Sequence, residues 1–272
     1  MESEITILSK KLEGWFSEIY DAVIALSGGI DSSLVAYVSR KTLGKDHTIA
    51  VISTSASLKA RELESARLFC KRYDINLTEI DTNELENKLY RQNPVNRCFY
   101  CKTALYNKLE QLILTKYKGY SILNGNNFSD LGDYRPGLRA AEDYRVLSPL
   151  AICGFRKEDI RKLARHYGLP NWDKPASPCL SSRFPYGEGI TIEKLKRVEL
   201  AEDILNDHGF NDVRVRSLGN SAKIEVPSHR IPELISRFDE IKQRIISSGF
   251  ENCEIDNEGL VSGKLNRKIK ST

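Results

Sequence analysis

The sequence predicts an α/β fold, with a parallel sheet and its helices over residues 1–170 and a smaller α+β domain at residues 188–272. Three observations carry this. Short apolar runs alternate with amphipathic stretches of helical length as far as Tyr167. Pro170, Pro175, Pro178 and Pro185 then crowd into a stretch that can continue neither a helix nor an interior strand, so residues 171–187 read as a linker. Beyond it the pattern changes to helix, two strands, helix and strand.

Ala22–Leu26 is a continuous apolar run and reads as a buried strand, with a helix over Asp31–Thr42. Thr48–Ile52 is a second strand, followed by a helix from about Leu58 to Tyr73, and Asn76–Ile80 is a third. Helical spacing resumes at Glu84–Tyr90 and Lys102–Tyr117. Tyr120–Leu123 is a further strand, and Val146-Leu147 forms a last short one before a helix at Lys157–Tyr167. Strands separated by helices of this length imply parallel βαβ units. After the linker come a helix at Ile192–His208, strands at Val213–Arg216 and Ala222–Val226, a helix at Ile231–Ser247 and a strand at Cys253–Ile255.

Hydrophobic residues at 40% and charged residues at 29% describe a globular chain, and 272 residues bury enough surface to fold without disulfides. A net charge of +4 permits an anionic ligand but falls short of a nucleic-acid footprint. Lys264–Lys270 is basic and reads as a solvated terminus. No apolar run approaches the roughly 18 residues that span a bilayer, and Met1–Lys10 carries no apolar leader core. The expectation is a cytoplasmic protein with no nucleic-acid or membrane partner. There, six cysteines point to reduced thiols, metal ligands or catalysis.

The strongest local signal is Ser27-Gly28-Gly29-Ile30-Asp31-Ser32-Ser33, between the first strand and the first helix. Two glycines allow a tight turn and a close approach of backbone N–H groups to an anion. Ser32 and Ser33 open a helix whose free N–H groups and dipole favour phosphate. Asp31 offers a carboxylate to the Mg²⁺ that accompanies a triphosphate. The plain alternative is a Ser/Gly turn capped by Asp31. Ser53 lies at the carboxyl end of the second strand. Gly125-Asn126-Asn127 follows the fourth, with Asp130, Asp133 and Arg135 just beyond. Ser53, Gly125, Asn126 and Arg135 therefore join Ser27, Gly28, Gly29, Asp31, Ser32 and Ser33 as nucleotide-binding candidates.

Cys98 and Cys101 form a Cys-x2-Cys pair in a loop entering a helix, and Cys179 sits in the proline-rich linker beside Arg183. Four readings stay open on the residues alone: a redox pair, a zinc site lacking an evident fourth ligand, unrelated buried thiols, or a site that handles sulfur. Cys70, Cys153 and Cys253 read as packing. In the last domain, alternation sets Arg214 and Arg216 on the face opposite Val213 and Val215, where two guanidiniums could hold a phosphate.

The loop is not a Walker A sequence; it resembles the PP-loop of the ATP pyrophosphatases, which cleave ATP between the α and β phosphates. Taken with Ser57–Glu62, Asp133–Arg139 and Pro175–Gly187, it resembles the LarE family of ATP-dependent sulfur transferases. That resemblance implies adenylation of a carboxylate of pyridinium-3,5-biscarboxylic acid mononucleotide, followed by sulfur transfer to give a thiocarboxylate for the nickel-pincer nucleotide cofactor. It implies a nucleotide-like substrate held by Arg214, Arg216 and Glu225, catalysis by Asp31, Cys179 and Arg183, and a homo-oligomer. Members with one cysteine, matching Cys179, surrender its sulfur. Members with two more, matching Cys98 and Cys101, are expected to bind a 4Fe–4S cluster fed by sulfide or another sulfur donor. The three cysteines here lead the resemblance toward ATP, Mg²⁺ and the cluster. The alternatives are sacrifice of Cys179, another PP-loop enzyme such as a tRNA thiolase or an amidating synthetase, and a nucleotide-binding regulator without turnover.

Overall fold

A computed structural model describes residues 3–132, 136–261 and 263–268. The chain divides into two compact units: residues 1–84 with 98–177, and residues 85–97 with 178–272.

In the first unit, α1 (Glu4–Phe16) leads into β1 (Ala22–Ala25), α2 (Ile30–Leu43), β2 (Thr48–Ser53), α3 (Ala60–Arg72) and β3 (Asn76–Ile80). A short helix α4 (Lys88–Arg91) falls in the segment grouped with the second unit, and α5 (Arg97–Thr115) returns to the first. β4 (Ser121–Leu123), α6 (Pro136–Asp143), α7 (Pro149–Ile152) and α8 (Lys157–His166) complete it. The sheet order is β3-β2-β1-β4, parallel throughout. The anticipated strand at Val146-Leu147 is a single bridge, Leu147 to Leu123.

Alternation along the strands builds two cores. Ala22, Ile24, Ala50 and Ile52 pack with Leu12, Leu34, Phe69 and Ile160 from the helices on one face. Val23, Ala25, Ile49 and Val51 pack with Tyr106, Leu109 and Ala140 on the other. Burial on both faces explains why β1 is apolar without interruption. The chain lays β1, β2 and β3 outward in one direction and then returns to β1's other edge with β4. The order therefore reverses between β1 and β4, which opens a crevice beyond their carboxyl ends.

The second unit carries α9 (Ile192–Asp207), β5 (Arg214–Leu218), β6 (Ser221–Glu225), α10 (Ile231–Ser236), α11 (Phe238–Ser247) and β7 (Asn252–Ile255). The single helix expected at Ile231–Ser247 breaks at Arg237, whose φ of −118° and ψ of 10° leave the helical basin. The sheet order is β5-β6-β7, antiparallel then parallel. Helices α9 and α11 pack against each other, α9 on β5 and α11 on β7. Val215, Ala222, Ile224 and Cys253 are buried with Leu195, Val198, Ile241 and Ile245. Arg214, Arg216, Lys223 and Glu225 occupy the alternate positions along the same strands. Among the described residues, no helix is long and apolar enough to cross a membrane.

Candidate functional site

The glycine loop spans the gap from β1 to α2. Gly28 has φ of +74°, a conformation that disfavours any side chain. Ser32 is nearly buried and acts as the internal brace: its hydroxyl accepts from the Ser27 backbone N–H at 3.1 Å and donates to the Gly29 carbonyl at 3.1 Å. Gly125 is the second half of the crevice. A Cβ there would lie 2.5 Å from the Ser32 backbone nitrogen and 2.9 Å from its Cα, so the chain just after β4 can press on the start of α2 only as glycine. Asn124, beside it, accepts from the Asn126 backbone N–H and from the Ser148 hydroxyl. The structure thus brings Ser27, Gly28, Gly29, Asp31, Ser32, Ser33, Gly125 and Asn126 to one end of the sheet. Arg135 lies outside the described residues.

Asp31 presents two inequivalent oxygens. Oδ2 accepts from the Lys157 ammonium at 2.6 Å, whereas Oδ1 is buried and has no hydrogen-bond partner. A hard divalent cation seeks such an oxygen, so the donor set fits Mg²⁺. Asn171 donates to the Ser33 hydroxyl at 3.0 Å and to the Gly28 carbonyl at 3.4 Å. Beside the loop, a cavity of about 500 Å³ is lined by Gly28, Ser33, Phe69, Arg72, Asn171 and Lys174, among others. Lys174 pairs with Glu62 at 2.5 Å on its wall. Ser53 lies in a separate network: its hydroxyl meets Thr82 at 2.8 Å, and the buried Glu84 accepts from Thr82 and Ser57. Sequence reasoning missed Lys157, Asn171 and Glu84.

In the second unit, Cys179 is a free, partly exposed thiol at the start of a 3₁₀ turn, Leu180–Arg183. Arg183 is buried in a bidentate pair with Glu202, at 2.8 and 3.1 Å. Its remaining nitrogen donates to the carbonyls of Pro178 and Cys179, at 2.7 and 3.2 Å. The guanidinium is thus engaged by Glu202 and by the Cys179 turn, which it holds through these carbonyls. Arg216 donates to Glu225 at 2.8 Å and to the Ser182 carbonyl at 2.7 Å. Glu225 is buried and orients Arg216. Arg214 has no ion-pair partner among the described residues. Burial, then the neighbouring Arg183 and Arg216, pulls its pKa below the ordinary arginine value. Lys264 does not fray as a terminal residue: it pairs with Asp256 at 2.6 Å and approaches Glu225 at 3.6 Å. A cavity of about 510 Å³ is lined by Arg183, Arg216, Lys223, Glu225 and Lys264, with Tyr186 and Leu218 among its less polar walls. Its excess of cations suits an anionic ligand with an apolar body.

The iron–sulfur expectation is corrected. Cys98 and Cys101 lie inside the first turns of α5, not in a loop before it. Among the described residues, no three His, Cys, Asp or Glu side chains converge to hold a metal ion. A three-thiolate cluster on Cys98, Cys101 and Cys179 therefore lacks its ligand set. Cys70, Cys153 and Cys253 are buried, and burial pushes their thiols up, Cys70 and Cys253 to about 12.

Comparison with known proteins bears on the same residues. The NAD synthase family model matches residues 5–102, which include the glycine loop. An uncharacterized protein of Synechocystis sp. is 44% identical over 268 residues, covering 97% of this chain and 99% of its own length. The pyridinium-3,5-bisthiocarboxylic acid mononucleotide synthase of Lactiplantibacillus plantarum is 33% identical over 96% of this chain and 95% of its own. The NH(3)-dependent NAD(+) synthetase of Finegoldia magna is 25% identical over 69% of this chain and 81% of its own. With identity of this order along nearly the whole length of both units, and the glycine loop built against Gly125, the chain belongs to the LarE family of PP-loop proteins.

Proposed function

We propose that this protein is an ATP-dependent sulfur transferase that adenylates a substrate carboxylate and converts it to a thiocarboxylate with sulfur from its own Cys179. The observation that carries the reading is Cys179 itself. It is a free, partly exposed thiol whose backbone carbonyl is held by a buried, carboxylate-anchored arginine, in a chain 33% identical to a bisthiocarboxylate synthase. The absence of a converging ligand set among the described residues favours this route over a cluster.

The chemistry follows from the groups present. A carboxylate resists nucleophiles until an oxygen becomes a leaving group; attack on the α phosphate of ATP yields an acyl adenylate and releases pyrophosphate. The backbone N–H groups of the glycine loop and the start of α2 receive the pyrophosphate. Asp31 would hold Mg²⁺, which supplies charge neutralisation to the triphosphate. The Cys179 thiolate then attacks the acyl carbon and expels AMP, forming a thioester. Loss of the Cα proton of residue 179 to a base cleaves the Cβ–S bond, leaving sulfur on the product and dehydroalanine in the chain. Arg214, which makes no direct ion pair among the described residues, supplies a further cation for a phosphate. A pyridinium dicarboxylate mononucleotide supplies both the carboxylate and that phosphate.

The test is the mass of the chain after reaction with ATP and pyridinium-3,5-biscarboxylic acid mononucleotide. The expected result is loss of one hydrogen sulfide per thiocarboxylate formed. Cys179→Ala should retain substrate-dependent pyrophosphate exchange and transfer no sulfur. Thiocarboxylate formed with an unchanged chain mass would overturn the sacrificial step. Amide formed from ammonia would place the chain's chemistry with its NAD synthetase relatives.

A further inference from the structure

The Lys157–Asp31 ion pair joins the first residue of α8 to the glycine loop, 126 residues away in sequence. Helix stability does not explain a lysine there. A cation at the first position opposes the helix dipole, and the turn already has acidic Glu158 and Asp159. Asp159 also caps the start by accepting from the Arg156 backbone N–H at 2.9 Å. What the lysine does accomplish is local to Asp31. By bonding Oδ2 it fixes the carboxylate rotamer and leaves Oδ1, buried and without a partner, as the oxygen presented to a ligand. Carboxylates that bind metal ions are held in this manner, with one oxygen on the metal and the other on a supporting donor.

We propose that Lys157 is a positioning residue for the divalent cation of the nucleotide complex, acting through Asp31. This rests on the reading of Asp31 as the cation-binding group of the loop. It is independent of how sulfur is delivered. Its effect is on the metal requirement. A merely structural ion pair, with side chains 38% and 23% exposed, would change stability slightly and leave metal affinity alone.

The experiment titrates Mn²⁺ into the full chain with a non-hydrolysable ATP analogue and reads bound metal by electron paramagnetic resonance, with no carboxylate substrate present. Lys157→Met should raise the half-saturating Mn²⁺ concentration roughly 10- to 100-fold, the range found on removing supporting partners of metal ligands. Lys157→Arg should restore most of the affinity, and the thermal midpoints of both variants should stay near wild type. Unchanged Mn²⁺ affinity in Lys157→Met overturns the proposal. Tighter binding overturns it also, because Lys157 would then be a competitor for Asp31. Asp31→Asn separates the two levels: if it binds Mn²⁺ as wild type does, the loop reading itself fails. If it loses binding while Lys157→Met keeps it, only the role of Lys157 fails.

Discussion

Gly125 shows how much a single missing side chain does in this protein. The clash would be with backbone atoms of Ser32 on the helix that follows the glycine loop, so neither side can yield without moving that loop. Gly125→Ala should therefore lower stability by about 1–3 kcal/mol, as overpacking does. It should also weaken binding of an ATP analogue at least about tenfold, since a displacement of the order of 1 Å misaims the N–H groups. Urea unfolding and calorimetric titration check the two effects, and intact analogue binding would show that the close approach is not functional. The glycine pair and Gly125 were legible in the sequence because small residues after an apolar strand are a local signal. Lys157 and Asn171 were not, since their partners Asp31 and Ser33 lie 126 and 138 residues away and one chain carries no mark of such pairing.

Among the elements, the 3₁₀ turn at Leu180–Arg183 depends on α9 in a way that composition alone does not reveal. Glu202 on the buried side of α9 accepts from Arg183 and also from the Val215 backbone N–H at 3.0 Å, tying turn, helix and β5 to one carboxylate. Arg183→Met would remove the guanidinium that neutralises this buried carboxylate, with an expected loss of about 3–5 kcal/mol. Arg183→Met combined with Glu202→Met should recover part of the stability in urea unfolding without restoring the proposed sulfur transfer. Full recovery of transfer would show that the clamp on Cys179 is dispensable. Strands and most helices followed their local patterning closely, β1 through its uninterrupted apolar run above all. The helix α1 has no counterpart in the expected elements, and Cys98-Phe99-Tyr100-Cys101 proved helical rather than loop. A helix start is set by which backbone groups find partners, and Asn93-Pro94 ahead of the cysteines obscures where that occurs. The cluster expectation failed for a related reason: the resemblance names candidate ligands, but convergence is a property of the fold.

Across the whole molecule, each unit encloses a cysteine whose thiol is raised chiefly by burial, and together they weaken stability at alkaline pH. Burial lifts the thiols of Cys70, in the first unit, and Cys253, in the second, from about 9 to about 12. A folded-state value above the unfolded one means that below pH 9 both states keep the proton and nothing changes. Between about 9 and 12 the unfolded chain releases protons that the native state retains. Stability should therefore fall with rising pH, by up to about 1.4 kcal/mol per pH unit for each thiol. Lysines and tyrosines titrate in the same window, so the absolute slope is shared among many groups. The difference between chains isolates the thiols. Cys70→Ala and Cys253→Ala should each flatten the decline in unfolding free energy measured by urea from pH 8 to 11, whatever cavity cost each adds at pH 8. Parallel curves for wild type and both variants would mean that these thiols ionise in the native protein as they do in the unfolded chain, and that the two interiors admit water where their cysteines lie.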